Sequence, residues 1–290
     1  MKPLICILLI AFSASAQISG TIVNEKGNAI PYVNIWIENE NIGTTSDENG
    51  IFKINAEVGK TAIFSSVGFE IKKTALTANE KVILKEAVYK LDEVVISKRK
   101  QDRQIEIGDA HKIHHTMLSG DKPWIYGKLF EYDSAYAATP YLNKIIFYTD
   151  SEKKDAKLKI RLFEFNGIEP ADDMLQEDLV VTVKKGMRKN EIDVSKYNLK
   201  FPEKGIVIGL EWMVIEENKY NFEYKDKTKG LVKTAYYAPS LVINYSDSEN
   251  SLMYSKGRWT RSRLILKITK EKNPWDNKVM TPAINLILTN

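Results

Sequence analysis

The chain has 290 residues, of which 43% are apolar and 28% charged, values typical of a soluble globular protein with one large or two ordinary domains. Neither long disorder nor a polytopic membrane protein fits this composition. Forty-two Lys and Arg against 38 Asp and Glu leave a net charge of +4, so we predict no nucleic-acid partner. The single cysteine, Cys6, lies in a segment predicted to be removed, which leaves the mature protein without a disulfide or thiolate metal site.

Residues 1–16 predict a signal peptide. A short positive start at residues 1–2 precedes an apolar run at 4–12, and residues 14–16 are the small residues of a cleavage site. The run is shorter than the roughly 20 residues that span a bilayer, and no similar run follows, so we predict no transmembrane span in the mature chain. Cys6 precedes most of the apolar run, which disfavours a lipid anchor. We expect an exported protein that is periplasmic, associated with the outer membrane, or secreted.

Short alternating runs separated by turn residues begin at residue 18 and predict an all-β fold. In the run 32–38, residues 33, 35 and 37 share one face, whereas Trp36 lies on the other, so one side of this strand is predicted to be buried. Asp47 to Gly50 superficially resembles a calcium loop, but the ligand spacing does not continue and a hairpin turn is predicted instead. The strands predicted here are 18–23, 32–38, 51–56, 61–65, 69–73, 81–84 and 93–97.

A basic stretch without apolar residues, 98–104, predicts a solvated linker. We therefore expect a signal peptide at 1–16, a first β domain at 17–97, the linker at 98–104 and a second β domain at 105–290.

The second domain is predicted to be a larger, jelly-roll-like β-sandwich. Lys157, Lys159 and Arg161 alternate with aliphatic residues, which predicts the basic side chains in water and the aliphatic ones in a core. Trp212 alternates with aliphatic residues and is predicted to be structural. One or two helical turns are allowed at 171–177. The strands predicted here are 124–130, 144–149, 157–162, 179–183, 206–214, 241–245, 264–268 and 284–289.

Several motifs in chain order resemble the carboxypeptidase-like regulatory domain. They are ISGTIV at 18–23, GNAIPYVNI at 27–35, GTTSDENGIF at 43–52, VGF at 67–69 and LDEVV at 91–95. The resemblance implies a seven-stranded transthyretin-like sandwich, as found at the N-terminus of many TonB-dependent outer-membrane receptors and behind some metallocarboxypeptidases. That domain is non-catalytic, so the resemblance implies no active-site residues.

The chain departs from both parent architectures. Only 193 residues follow Ser97, too few for a receptor barrel, and the histidines lack the separated zinc-ligand pattern of the peptidases. The second domain resembles only uncharacterised exported β-rich bacterial proteins, and that resemblance transfers no site. The motifs that carry it are RLFEF at 161–165, DVSKYNL at 193–199 and GLEW at 209–212.

All three histidines, His111, His114 and His115, lie within five residues. On a helical turn, His111 and His115 would face the same way and could bind zinc, copper or nickel, with Asp109 as a further ligand. The alternative, a polar loop that leads into the second domain, is favoured because a closed metal site needs more ligands held by a second layer of contacts. We predict no resident cofactor.

Aromatic residues are the better candidates for ligand binding, because exposed Trp and Tyr stack on the apolar faces of sugar rings. Such residues more often fill cores or line protein interfaces, and that alternative stays open. The candidates on outward faces, in predicted turns or at strand ends are Trp36, Tyr132, Tyr136, Tyr141, Tyr236, Tyr237 and Trp275.

No nucleophile elbow, phosphate-binding glycine loop or second histidine cluster occurs, which favours a protein that is not an enzyme. We expect a non-catalytic binding or assembly module whose partner is an envelope protein or an outer-membrane complex. A carbohydrate-binding accessory protein and a hydrolase of unknown substrate are the alternatives. Residues 17–97 carry a net charge of −3 and residues 98–290 one of +6, so the second domain is the part expected to approach an acidic envelope surface or protein.

Overall fold

A computed structural model describes residues 17–87, 101–110, 115–263 and 277–290. Strands dominate these ranges, and the three helices within them are short 3-10 turns at Ser134–Ala138, Ser195–Tyr197 and Glu216–Asn218. No helix in the described ranges is long and apolar enough to cross a membrane. The predicted signal peptide, the predicted strands at 93–97 and 264–268, His111, His114 and Trp275 lie outside the described residues.

Residues 17–87 form a seven-stranded sandwich, which we call the N-terminal sandwich. One sheet has the order β4-β1-β7 and the other the order β3-β2-β5-β6; β1 and β7 are parallel, and the remaining pairs are antiparallel. Ile22, Ile35, Phe52 and Phe64 are buried between the sheets. The strands are β1 (Gln17–Asn24), β2 (Asn34–Ile37), β3 (Gly43–Thr45), β4 (Ile51–Asn55), β5 (Thr61–Ser65), β6 (Lys72–Ala75) and β7 (Glu80–Leu84).

The other described residues form a larger sandwich of two seven-stranded sheets, the C-terminal sandwich. Its first sheet has the order β13-β12-β16-β10-β20-β21, with β14 beside β12. These strands are β10 (Ile125–Phe130), β12 (Ala156–Phe165), β13 (Pro170–Asp173), β14 (Leu179–Val183), β16 (Ile206–Trp212), β20 (Ser251–Ser255) and β21 (Arg258–Arg261).

Its second sheet has the order β22-β19-β11-β23-β8, with β15 beside β11 and β9 beside β19. These strands are β8 (Gln104–Gly108), β9 (His115–Met117), β11 (Tyr141–Ser151), β15 (Gly186–Asp193), β19 (Ser240–Ser246), β22 (Val279–Pro282) and β23 (Ile284–Thr289). Two further strands, β17 (Lys219–Asp226) and β18 (Gly230–Tyr237), pair only with each other in the described structure. The predicted all-β class and the two sandwiches are confirmed.

The main core lies between the two large sheets. Strand β16 supplies Ile206, Ile208, Leu210 and Trp212 at alternate positions, and β11 and β23 supply the opposing layer. Trp212 is fully buried and donates from Nε1 to the carbonyl of Pro239 at 2.7 Å, so its predicted structural role is confirmed. The segment 171–177 forms no helix; its beginning belongs to β13, which pairs with β12.

The prediction that Lys159 and Arg161 lie in water is wrong. Their side chains are 0% and 6% exposed, because the face of β12 that carries them is covered by the N-terminal sandwich. Alternation identified which residues of β12 share a face, and a distant part of the chain buries that face.

The predicted linker is described only from residue 101. Gln104 already belongs to β8, and Arg103 donates its backbone N–H to Asn290 Oδ1 at 3.1 Å. These contacts attach residues 101–104 to the C-terminal sandwich, whereas the domain boundaries themselves stay a prediction.

Candidate functional site: the seam between the two sandwiches

Charged side chains are buried where the two sandwiches meet, a contact surface that we call the seam. Arg161 on β12 donates through Nη1 to Glu211 Oε2 on the neighbouring β16 at 2.8 Å, and through Nε and Nη2 to the two carboxylate oxygens of Asp173. The planar guanidinium suits two carboxylates at once because its five N–H groups point outward in one plane. Every charge in this trio therefore has a partner, which burial requires.

The N-terminal sandwich joins this network through its second strand and the turn before it. Asn34 Nδ2 donates to Glu211 Oε1 at 2.9 Å and to the carbonyl of Pro123 at 3.0 Å. Lys159 donates to the carbonyl of Tyr32 at 2.7 Å and pairs with Asp178 at 3.0 Å. The bonds of Asn34, and that of Lys159 to Tyr32, cross from one sandwich to the other and hold the two in a defined orientation.

The seam holds Glu211 in its charged form. Burial favours the neutral acid, but the charges of Lys159 and Arg161 and the hydrogen bonds from Asn34 and Arg161 outweigh burial and lower the pKa of Glu211. Burial also opposes the charge on Arg161, and the facing carboxylates of Asp173 and Glu211 raise the pKa of Arg161 well above its ordinary value. Glu211 and Arg161 therefore stay ionised at neutral pH.

Trp36, predicted as an exposed ligand-binding residue, is instead buried at the seam, where it is 1% exposed. It lies opposite the core-facing residues of β2, as its position in the alternation predicts. A Cβ atom added to Gly43 would approach both the Trp36 ring and Pro123 Cδ at 3.0 Å, which shows how tightly the C-terminal sandwich packs there. Trp36 thus contributes to the contact between the sandwiches and is not available to stack on a ligand at the surface.

One end of the seam widens into a cleft of about 510 Å³, which we call the seam cleft. Phe69, Glu70 and Ile71 of the N-terminal sandwich form one wall. The opposite wall belongs to the C-terminal sandwich and consists of Ile125, Arg161, Phe163, Asp172, Asp173, Tyr254 and Trp259.

Trp259 is the centre of an aromatic trio in the seam cleft. Its ring lies 5.3 Å from Tyr254, its cross-strand partner, and 5.3 Å from Phe163, both in edge-on geometries. The guanidinium of Arg161 lies 5.0 Å from the centre of the Phe163 ring. Burial raises the pKa of Tyr254 to about 12, so its hydroxyl stays protonated at neutral pH.

The cleft combines the two chemical features that bind sugars, flat aromatic surface and carboxylate acceptors for hydroxyl groups. Asp172 is exposed and borders the same space, whereas both oxygens of Asp173 accept hydrogen bonds from Arg161. Asp173 is therefore occupied as a structural anion, and it lends no support to the hydrolase alternative.

The remaining predicted aromatic residues do not meet at one site. Tyr132 and Tyr136 pack around Phe201 at 6.3 and 5.3 Å, and Tyr141 begins β11. Tyr236 and Tyr237 end β18; Tyr237 borders a separate groove between the sandwiches, and Tyr236 stacks on Phe222 at 4.5 Å. The prediction that these residues bind a ligand stays untested.

The metal-site prediction also stays untested. His115 lies on β9 with its ring 5.6 Å from that of Tyr245. Asp109, the proposed additional ligand, forms an ion pair with the buried Lys128, and burial lowers the pKa of Lys128 despite that pair. The described ranges contain no group of three or more His, Cys, Asp or Glu placed to hold one ion.

Tyr254 and Trp259 were not recognised as site residues from the sequence. The two strands that carry them are joined by a tight turn in which Lys256 and Gly257 both have positive φ. A Cβ atom on Gly257 would lie 2.4 Å from Ile63 Cδ1 of the N-terminal sandwich, so this turn contacts the seam directly.

Comparison with known proteins accounts for the first part of the chain. Residues 18–96 match the CarboxypepD_reg-like domain family. TonB-dependent receptor SusC of Bacteroides thetaiotaomicron is 28% identical over 86 residues, and TonB-dependent receptor P26 of Formosa agariphila is 32% identical over 95 residues. These matches cover 30% and 31% of this chain but only 9% and 10% of the receptors, so they concern a small part of each receptor.

A solved structure of the cysteine protease and lectin-like domains of Cwp84, a surface layer associated protein of Clostridium difficile, overlaps 58% of this chain and 32% of that one. The TM-score is 0.31 and the identity 14%, values too low to transfer a fold or a function. The family match and the seven observed strands agree with the resemblance seen in the sequence motifs. Residues 18–96 of this chain are a CarboxypepD_reg-like domain.

Proposed function

We propose that this protein is an exported, non-catalytic binding module of the cell envelope whose ligand site is the seam cleft. The observation that carries the proposal is that both sandwiches line this cleft, Phe69 and Ile71 from one side and Phe163 and Trp259 from the other. A cleft shared by two sandwiches gives the regulatory-like domain a direct part in recognition.

Two further features support the proposal. The buried network of Arg161, Glu211 and Asn34 orients the walls of the cleft before any ligand arrives, which reduces the entropy lost on binding. The relatives that share the first domain are named as TonB-dependent receptors, and we extend from them an envelope location for this chain.

Site-specific crosslinking in envelopes of the source bacterium tests the protein partner. A photoreactive residue at Asp172, on the rim of the cleft, should capture one envelope species, and Trp259→Ala should abolish that product. The same group at Lys154, an exposed residue outside the cleft, is the control. Equal capture from both positions, or capture unaffected by Trp259→Ala, contradicts the proposal.

A saccharide ligand is the second candidate, favoured by the aromatic trio beside Asp172 and Glu70. A sugar that stacks on Trp259 should quench or shift tryptophan fluorescence in a titration across a panel of glycans. Trp259→Ala should remove the response, whereas Tyr224→Ala, on a strand outside the cleft, should retain it. A panel that gives no response, or a response that survives Trp259→Ala, rejects this candidate.

A further inference from the structure

The hairpin of β17 and β18, residues 219–237, projects from the C-terminal sandwich; we call it the aromatic hairpin. Its base is attached to the fold, because Ala238 donates its backbone N–H to Asn218 at 2.8 Å and Tyr237 donates to Gly120 at 3.0 Å. Beyond this base the two strands pair only with each other in the described structure. Exposure increases along the hairpin, and most residues from 223 to 231 are exposed.

One face of the aromatic hairpin carries a continuous row of rings. Tyr220, Phe222 and Tyr224 follow each other at alternate positions of β17, and Tyr236 faces Tyr220 across the pair. Phe222 and Tyr236 are stacked with centroids 4.5 Å apart, and Tyr224 lies 6.0 Å from Phe222. Each of these four rings keeps some exposure to solvent. Tyr220, at the base, packs against the main core, and exposure is greatest at Tyr224 near the tip.

The tip of the hairpin is apolar and exposed. Tyr224 is 41% exposed on one face of the hairpin, and Leu231, which pairs with Lys225 on the other face, is 62% exposed. The turn between them is closed by hydrogen bonds, because Asp226 Oδ1 accepts from the backbone N–H of Thr228 and of Lys229, each at 2.8 Å. The tip is thus a formed structure that holds large apolar side chains in water at a net cost.

The tip is also strongly basic. The hairpin contains five lysines against two acidic residues. Lys233 pairs with Glu223 at 2.8 Å and Lys219 with Glu216 at 3.2 Å near the base. Lys225, Lys227 and Lys229 surround the turn, are exposed, and form no ion pair with any described residue. Three unpaired lysines against the single carboxylate of Asp226 therefore leave a net positive charge around an exposed apolar tip.

We propose that the aromatic hairpin docks on an anionic bilayer surface. At the tip, Tyr224 from one face of the hairpin and Leu231 from the other enter the interface between headgroups and acyl chains, where aromatic rings are favoured. The three lysines reach the phosphates through their long flexible side chains. Leu231 favours a bilayer over an acidic polysaccharide because its side chain has no hydrogen bond to offer a sugar. The proposal depends on the hairpin alone and stands whether or not the seam cleft binds a ligand.

Cosedimentation of the mature chain with lipid vesicles tests the proposal. We expect binding to vesicles of phosphatidylcholine with about one third phosphatidylglycerol, little binding to phosphatidylcholine alone, and weaker binding at high salt. The triple variant Lys225→Gln, Lys227→Gln, Lys229→Gln should lower the partition coefficient about a hundredfold, since each lysine near such a surface contributes about fivefold.

Two variants complete the design. Lys184→Gln, Lys185→Gln, Lys204→Gln removes the same charge from exposed sites elsewhere on the C-terminal sandwich and should leave most of the binding. Tyr224→Ser with Leu231→Ser retains every lysine and should lower binding about tenfold at both salt concentrations, because it removes the inserted apolar area. These side chains lie outside the core, so unchanged unfolding midpoints will show that the variants fold.

Three results would overturn the proposal. They are an absence of binding to anionic vesicles, an equal loss from both lysine triples, and binding that depends on Tyr224 and Leu231 for a soluble acidic polysaccharide but not for vesicles. Glycan titration of the same hairpin variants separates the two sites, because the response assigned to Trp259 should persist in all of them.

Discussion

Trp36 on β2 and Tyr224 on β17 are both aromatic residues at alternating positions of a strand, and their surroundings differ completely. Trp36 is 1% exposed because the C-terminal sandwich covers its face of the sheet, whereas Tyr224 is 41% exposed on a hairpin that pairs with no other strand of the described ranges. The seam and the aromatic hairpin therefore show that the role of a residue on a strand face depends on whether another part of the fold packs against that face. At the seam, aromatic and charged side chains stabilise the fold; on the hairpin, the same residue types remain available to a partner.

The largest effect is expected at the buried charges of the seam. Arg161→Met leaves Glu211 and Asp173 without their shared cation, and removing one partner from a buried ion pair destabilises a protein by about 3–5 kcal/mol. Urea denaturation should show this loss, whereas Arg188→Met at an exposed position should stay within about 0.5 kcal/mol of the parent. A similar cost for both variants would mean that the seam network does not stabilise the fold.

The next largest difference in stability is expected between variants of the two aromatic residues, Trp36 and Tyr224. Trp36→Ala creates a cavity at the seam and should lower the free energy of unfolding by about 3 kcal/mol. Tyr224→Ala removes a ring that is largely in water and should change it by no more than about 0.5 kcal/mol. Thermal unfolding of the two variants beside the parent measures the difference. If Tyr224→Ala were as damaging as Trp36→Ala, the hairpin face would belong to the core.

Acid should weaken the seam through Glu211. Its pKa is lowered in the folded protein from an ordinary value of about 4.5, so the unfolded chain takes up the proton first. The stabilisation is complete above pH 4.5 and is lost as the pH falls through the lower folded-state pKa, by up to about 1.4 kcal/mol per pH unit. Glu211→Gln should be less stable at neutral pH and show a flatter acid dependence. Parallel acid profiles of the two proteins would contradict this assignment.

The smallest expected effect compares two glycines with similar backbone. Gly68 and Gly59 have φ of +85° and +89°, but a Cβ atom at Gly68 would lie 2.7 Å from the carbonyl oxygen of Gln176 across the seam, and one at Gly59 meets nothing within 4 Å. Both alanine variants carry backbone strain of about 1 kcal/mol. Gly68→Ala should cost about 1 kcal/mol more. Equal unfolding midpoints would show that the backbone at the seam shifts to accommodate the added methyl group of Gly68→Ala.

Local pattern predicted much of the fold. The hydrophobic runs at 61–65, 179–183 and 284–289 coincide with β5, β14 and β23, and ordered motifs identified the first domain. The strands that were missed include β15 and β18, whose residues are mostly exposed or half-buried and lack a strong alternation of apolar and polar residues. Strand β17 was also missed, although Tyr220, Phe222 and Tyr224 alternate there with polar residues. These strands are defined by pairing with a neighbouring strand, and the sequence of one segment does not show its pairing partner.

The candidate sites were predicted less well than the fold. Tyr236 was selected from the sequence and lies in the row of rings on the aromatic hairpin, whereas Trp36 was selected and is buried. Trp259 was not selected, because its partners in the seam cleft, Phe163 and Phe69, are distant in sequence. When the walls of a cleft come from three separate segments, no single segment contains a residue spacing that identifies the cleft.

Period-two alternation and turn residues were sufficient to specify an all-β chain and the structural position of Trp212, because both depend on contacts that a strand's own pattern encodes. The seven-stranded first domain followed from the family resemblance of its motifs. Only the tertiary structure decided that Lys159, Arg161 and Trp36 are buried and that the tip of the aromatic hairpin is exposed. The physical reason is that a strand face becomes buried only when a second surface packs against it. A strand carries the residues of one face, and whether that face meets water or another sandwich depends on residues more than a hundred positions away, such as Asn34 and Glu211, separated by 177.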